Sequence, residues 1–337
     1  MRAVAYKLPQ PISAETSLID VDLPMPEAKG RDLLVEIKAV SVNPVDTKVR
    51  SGVAPGADEM KVLGWDASGI VKAVGPEVTL FKAGDEVFYA GVINRPGSNA
   101  EFQLVDERIV GRKPGSLDFA AAAALPLTSI TAYEALFDRL KVQDAVPGAA
   151  KAILIIGGAG GVGSIAIQIA RALTDLTIIA TASRAETQAW VKELGAHHVI
   201  DHSKPIAPQV AALGIGAPGF IFSTTNTADH IDGIAEAIAP QGRFALIDDP
   251  KTLDIVPFKR KAVSTHWEFM FTRPLFDTPD MIEQHRLLNK ISELVDAGTI
   301  RTTLNETVGT INATNLKKAH AMIESGKTKG KLVLSGF

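Results

Sequence analysis

"ILIIGGAGGVGSIAIQIARAL", residues 153–173, is an aliphatic burst, a cluster of glycines and a second aliphatic burst. The first burst is rich in β-branched residues and ends at Gly157, while the run after Gly163 repeats its apolar residues at helical spacing, so the pattern reads as strand, tight turn and helix. Gly158, Gly160 and Gly163 fit G-x-G-x-x-G at the point where the strand feeds the helix. A further strand-like run, "LTIIATAS", follows within the roughly thirty residues of a βαβ unit. In such a unit Gly158 is expected to make the tight turn, Gly160 to admit a pyrophosphate against the backbone, and Gly163 to let helix and strand pack closely. The N-terminus of the helix "SIAIQIARAL" supplies N–H donors without intrahelical acceptors and the positive end of the helix dipole to an anion. Gly158, Gly160, Gly161, Val162 and Gly163 are therefore candidate dinucleotide contacts.

Outward from this unit, strand and helix keep alternating: "AETQAWVKELG", "HHVIDH", "FIFSTT", "IDGIAEAIA", "RFALID" and "AVSTHWEFMF". Such alternation predicts an α/β fold with a doubly wound parallel sheet. Before it, up to about Gly115, the apolar runs are short and broken by Gly, Pro, Asn and Asp, as in "RAVAYKL", "LLVEIKAVSV" and "DEVFYAG", which predicts a β-rich module. "LDFAAAAALPLTSITAYEALFDRL" reads as helical with a break at Pro126. At the end, "DMIEQHRLLNKISELVDAGTI" is a helix closed by Gly298, and the terminal strand "KLVLSGF" is placed to complete the first module.

A chain of 337 residues is long for one core, so two domains are expected. A hydrophobic fraction of 46% and a charged fraction of 22% describe an ordinary globular protein. The formal net charge of -3, with no dense basic run, gives no global attraction to nucleic acid or to an anionic membrane, and neither is an expected partner. Residues 152–170 are apolar enough to imitate a membrane span, but glycines and Ser164 interrupt them, so a buried position is expected. The first twenty residues lack the apolar core of an export signal, which makes the cytoplasm the expected compartment. Absence of cysteine removes disulfides and thiolate metal ligands together. His197 and His198 are adjacent but lack a ligand set around them, and the seven histidines predict no metal site.

The dinucleotide can be narrowed at the end of the second strand, where NAD sites usually carry Asp or Glu for the ribose hydroxyls. Here Ala182, Ser183 and Arg184 occupy that corner, and Asp175 lies before the strand. A hydroxyl and a guanidinium suit the 2′-phosphate of NADP, which a carboxylate would repel. NADPH is the expected cofactor.

"GGAGGVG", together with "SVNPVDTKVRSG", "LGWDASGIVKAVG" and "PLTSITAYEAL", resembles the medium-chain dehydrogenase/reductase superfamily, in particular its zinc-independent quinone oxidoreductase (zeta-crystallin-like) branch. The resemblance covers nearly the whole chain in order. It implies a GroES-like catalytic domain over residues 1–125 and 273–337, a Rossmann NADPH-binding domain over 126–272, a cleft between them and a homodimer. In zinc-dependent members a Cys, a His and a second Cys hold the catalytic metal. The matching positions here are Asn43, Trp65 and Leu127, none an ordinary zinc ligand. Loss of zinc favours a conjugated acceptor, a quinone or an α,β-unsaturated carbonyl, in which the hydride's charge is delocalised without a Lewis acid.

The same resemblance places the loop "NPVDTK" beside the nicotinamide, with Asn43 donating to the substrate carbonyl, Asp46 near it, and Lys48, where relatives commonly carry Tyr, stabilising an enolate. The alternative is that Asn43 and Asp46 cap their own backbone and Lys48 is solvated. Thr131 matches a threonine near the nicotinamide, and His202 matches a tyrosine near the 2′-phosphate. Trp65, Tyr89, Trp267, Phe269 and Phe271 could form an aromatic wall for a planar acceptor, with Trp65 and Trp267 its candidate substrate contacts; core packing is the other reading. The expected activity is NADPH-dependent, metal-independent hydride transfer. Its rivals are an alkenal or enoyl reductase on the same fold and a non-catalytic NADPH-binding sensor.

Overall fold

The strand Asp32–Val42 shows how the first part of the chain is built. Its alternating residues Leu33, Val35, Ile37 and Ala39 are buried, as a strand with one face on a core requires. Over most of its length it pairs antiparallel with Asp66–Val74. Its first half also pairs with Phe102–Asp106, and its last residues with the terminal strand Lys331–Ser335, in the register Leu332↔Val42 and Leu334↔Val40. Segments from the early and the last parts of the chain therefore share one seven-stranded sheet, which also takes in Glu86–Tyr89, Val110–Arg112 and the strand Leu304–Gly309, while Arg2–Tyr6 pairs with Ile19–Asp22 and Lys61–Val62 in a separate three-stranded sheet. The strand Leu304–Gly309 lies in "LNETVG", a run without the apolar alternation that announces a strand.

The computed structural model describes residues 1–57 and 59–337 and divides into two compact units, Met1–Ile130 with Phe271–Phe337, and Thr131–Met270. The first boundary falls inside the helix Pro126–Tyr133. In the second unit six parallel strands lie in the order His198–Ile200, Thr177–Thr181, Ala150–Ile156, Pro218–Ser223, Arg243–Leu246, Ser264–Trp267. In chain order this is 3-2-1-4-5-6, the doubly wound order of a Rossmann sheet, whose ligand crevice lies at the carboxyl ends of the strands where the winding reverses. Ile153, Leu154, Ile155 and Ile156 are all buried, as expected for a central strand covered on both faces. The helix Gly161–Leu173 buries Ile165, Ile167 and Ile169, so the apolar stretch that imitates a membrane span is core. The helical run Phe119–Arg139, also apolar enough to cross a membrane by length and composition, is mostly buried in the protein as well.

One local surprise is the segment Glu134–Arg139, a wide π-helical turn where the sequence reads as plain α-helix. Glu134 is wholly buried, and so nearly is Glu268, which follows the last strand. Arg139 Nε donates to Glu268 Oε2 at 2.8 Å. Burial first, and then the Glu134 carboxylate, push the Glu268 carboxyl up to about 9, against the pull of Arg139. Glu268 accordingly keeps its proton at neutral pH.

The sign of the linkage follows. As pH rises from about 4.5, the unfolded chain gives up this proton while the folded chain keeps it to about 9, so the pair's contribution to stability declines across that window. Glu268→Gln keeps an acceptor for Arg139 and a donor for Glu134 without a titrating group. We expect its melting temperature to exceed that of the parent at pH 8 by about 2–4 °C per kcal/mol recovered and the gap to close at pH 5. A parallel decline of both proteins with pH in differential scanning calorimetry would contradict this.

Candidate active site

The glycine turn joins the strand Ala150–Ile156 to the helix Gly161–Leu173, with Gly160 as N-cap. The left-handed residue is Gly157, at φ +79°, and not Gly158 as the motif suggests. A Cβ at Gly157 would also stand 2.3 Å from Thr224 Oγ1. Gly158 is confined differently, with Ala180 Cβ 3.0 Å from where its own Cβ would lie, and its N–H donates to Thr181 O at 3.1 Å. Gly163 has no room at all, since a Cβ there would meet Gly157 O at 2.3 Å, so it serves the close packing of helix on strand. Gly160 is different. It has φ -70°, and a Cβ would meet nothing nearer than Gly157 O at 3.5 Å, so neither strain nor internal crowding requires a glycine there. What its bare backbone leaves open is approach from outside, beside the first N–H groups of the helix at Gly161 and Val162. This cradle fits a dinucleotide pyrophosphate.

At the end of the neighbouring strand, Ser183 is exposed and Arg184 half-buried, with Arg184 Nε 3.4 Å from Glu186 Oε1. Ala182 is buried, its N–H bonded to Ile200 O at 2.9 Å, so the accessible corner consists of Ser183 and Arg184. His202 stands beside it. Its Nδ1 lies 3.0 Å from Thr181 Oγ1, which accepts the Gly157 N–H at 3.0 Å. Thr131 is buried in the helix Pro126–Tyr133.

In the first unit two of the three positions equated with zinc ligands, Asn43 and Leu127, meet at a carboxylate that the sequence reading passed over. Asp66 is wholly buried. Its Oδ1 accepts the Leu127 N–H at 2.7 Å; its Oδ2 accepts from Asn43 Nδ2 at 2.8 Å and from Lys331 Nζ at 2.9 Å. Lys331 Nζ also donates to Val42 O at 3.2 Å and to Asn43 Oδ1. Asp46, at the third position of the helix Pro44–Gly52, accepts the Asn43 N–H on Oδ2 at 2.8 Å and the Gly64 N–H on Oδ1 at 3.0 Å. Burial pushes the Asp46 carboxyl up to about 7, against these two N–H donors and the nearby Lys331.

This geometry corrects several expectations. Both amide protons of Asn43 are engaged, by Ser41 O and Asp66, so Asn43 has none to offer a substrate carbonyl. With Asp46 it caps its own helix, the other reading of the motif. Trp65 is no wall for an acceptor. It is wholly buried, donates from Nε1 to Val92 O at 3.1 Å and packs edge-on against Phe271 at 5.9 Å. Tyr89 is also core, bonded to Gln103. In the other unit Trp267 ends the edge strand and Phe269 follows it, 52% and 46% exposed. Of the loop, Pro44 and Lys48 are exposed, and Lys48 is the charged one of the two.

The chain matches the alcohol dehydrogenase GroES-like domain over residues 29–121 and the zinc-binding dehydrogenase family over residues 194–334. It is 42% identical over 312 residues to a zinc-type alcohol dehydrogenase-like protein of Staphylococcus aureus, covering 92% of each. The chain belongs to the medium-chain dehydrogenase/reductase superfamily. Within this superfamily of oxidoreductases it is also 32% identical over 244 residues to a quinone oxidoreductase of Lama guanicoe, covering 71% of this chain and 70% of that protein. A crystal structure of a Rhizobium etli protein, provisionally described as a zinc-dependent alcohol dehydrogenase, shares 68% identity with a TM-score of 0.99 over 100% of this chain and 98% of that one. The NADPH complex of the Escherichia coli quinone oxidoreductase, at 21% identity and a TM-score of 0.81 over 99% of this chain and 100% of that one, shares the fold.

The zinc in those family names does not suit the donors found here. Asn43, Trp65 and Leu127 supply no thiolate or imidazole, and the charge of Asp66 is already matched by the Lys331 ammonium. Among the described residues no group of three or more His, Asp or Glu is gathered for a metal. A lone charge within an apolar run, Asp66 in "GWDASGIV" and Lys331 in "KLVLSGF", was the signal that could have marked this pair.

Lys331→Met leaves Asp66 as an uncompensated buried anion and should cost about 3–5 kcal/mol of stability in the GroES-like unit. Adding Asp66→Asn should recover part of that loss. Urea unfolding followed by tryptophan emission tests both, and equal stabilities for parent and Lys331→Met would remove the pair's assigned role.

Proposed function

We propose that this chain is a metal-independent, NADPH-dependent reductase that passes hydride to a quinone or an α,β-unsaturated carbonyl. The observation that carries the reading is the saturated Asp66 cluster, in which an amide, a backbone N–H and an ammonium stand around the carboxylate where zinc-dependent members would place their metal ligands. Without a Lewis acid, an isolated carbonyl lacks the charge needed to stabilise its alkoxide, whereas a conjugated acceptor spreads that charge over its own π-system. The relative named quinone oxidoreductase supports the same acceptor class.

Bound NADPH would supply the hydride. The chain's own part is to seat the pyrophosphate on Gly160, Gly161 and Val162, to hold the 2′-phosphate with Ser183 and Arg184, and to set the exposed Lys48 ammonium against developing negative charge on the acceptor oxygen. A proton from solvent then completes the reduced product, so a quinone takes one hydride and one proton per two-electron reduction.

The edge strand Ser264–Trp267 pairs on one side only, with Arg243–Leu246, and leaves Trp267 and Phe269 exposed. An open edge of this kind favours pairing with a second copy, and a homodimer in the cytoplasm is part of the proposal. Sedimentation at micromolar concentration should give twice the mass of 35.7 kDa, and Trp267→Glu should shift it toward the monomer.

Cofactor choice is the decisive test. A charge-assisted hydrogen bond contributes about 1.5–3 kcal/mol, so Arg184→Ala should weaken NADPH about ten- to a hundredfold and leave NADH nearly unchanged. Ser183→Asp should move preference further toward NADH. NADPH oxidation with a panel of quinones and enones should survive exhaustive chelation. A parent that prefers NADH, equal losses for both cofactors in Arg184→Ala, or turnover abolished by chelation and restored by zinc would each overturn the corresponding part.

A further inference from the structure

Thr181 closes the second Rossmann strand and is wholly buried. Its hydroxyl oxygen accepts the Gly157 N–H at 3.0 Å and lies 3.0 Å from His202 Nδ1. The hydroxyl can accept from an Nδ1–H or donate to a bare Nδ1, so the contact accommodates either protonation state of the ring. The chain Gly157 N–H, Thr181 O–H, His202 ties this ring to the turn that would carry the pyrophosphate.

His230, from the helix Thr227–Ala237 that follows the fourth strand, faces His202 with ring centroids 6.3 Å apart. The charged groups around the two rings are Arg184, Asp201 and His230 acting on His202, and Asp229 and Asp248 acting on His230. Asp248 is committed to the N–H and hydroxyl of Thr227. Burial, the largest cause for each, holds both imidazoles below the usual histidine value and so disfavours the imidazolium in each. A phosphate monoester, carrying roughly -1.5 to -2 charges near neutrality, reverses that balance when it arrives, because an adjacent anion favours the imidazolium.

We propose that His202 and His230 form the proton-linked half of the 2′-phosphate site beside Arg184, taking up protons as NADPH binds, so that selectivity for NADPH over NADH rises as pH falls. The inference rests on the NADPH reading of this corner and adds a regulation to it. The bound phosphate pulls the other way, since Arg184 favours its dianion and releases a proton near its own pKa of about 6. The window in which the histidines dominate is therefore pH 7–8.

Calorimetric titration of the full chain with NADPH and with NADH, at pH 7 and pH 8 in two buffers of different ionisation enthalpy, reads the protons exchanged directly. We expect net uptake with NADPH and none with NADH, and an NADPH Kd about three- to tenfold tighter at pH 7 than at pH 8. His202→Gln and His230→Gln should each reduce the uptake and flatten the pH dependence, with NADH binding as the check that the unit is folded. Net uptake absent in the parent, or undiminished in both variants, overturns the proton linkage while a retained NADPH preference leaves the cofactor reading standing. A parent that prefers NADH sinks both, and the Arg184→Ala comparison shows which failed first.

Discussion

Lys331 Nζ and Asp66 Oδ2 lie 2.9 Å apart with both side chains almost fully excluded from water, and the β-rich unit is organised around them. Ions in such a place are tolerated only when paired and hydrogen-bonded. Each condition is met by a different part of the chain: Asn43 from the loop before the first helix, the Leu127 N–H from the helix that leads toward the other unit, Lys331 from the last strand. The pair thereby ties together segments from the start, the middle and the end of the sequence, and closes a domain into which a second one is inserted. Stability and register share one cause here, because a shift of the terminal strand against Asp32–Val42 would carry the ammonium away from its carboxylate.

That same cluster decides what chemistry is open to the protein. A cation already stands at Asp66, so the polar groups that might have held a metal are used in holding the fold. On the proposed function, the reaction then rests on hydrogen bonds, on exposed charge such as Lys48 and on the electronic character of the acceptor. Ancestry and chemistry separate at this point: the family descriptions name zinc, and the donors do not.

The dinucleotide unit obeys a different constraint, the room available to a backbone. Gly157 and Gly163 are required by the protein's own packing, whereas Gly160 is required by nothing within it. The distinction separates glycines that make the turn from the one that leaves it open to a ligand. Around the turn, Thr181 and Thr224 from the two flanking strand ends bond the backbone at Ile156 and Gly157, and His202 from the next strand end lies against Thr181. This is a property of the strand order and not of any one segment.

Much of this was legible in the chain itself, because it depends on neighbours in sequence. The βαβ unit follows from β-branched runs, glycine spacing and helical periodicity, and the placing of Ala182, Ser183 and Arg184 at the end of its second strand from their distance past the glycines. Two-part organisation and the absence of thiolate chemistry follow from length and composition. Tertiary structure decided the rest, for reasons local patterns do not carry. Asp66 and Lys331 are 265 positions apart, and only strand pairing shows that one compensates the other. Asn43 and Trp65 look like site residues until burial shows that their donors are already taken. Glu134 meets Glu268 only through a π-turn and the last parallel strand, and His230 reaches His202 only because the fourth strand of the sheet lies beside the first. In each case the deciding quantity is the cost of leaving a charge or donor unpaired away from water, which depends on where the chain has folded and not on which residues adjoin it.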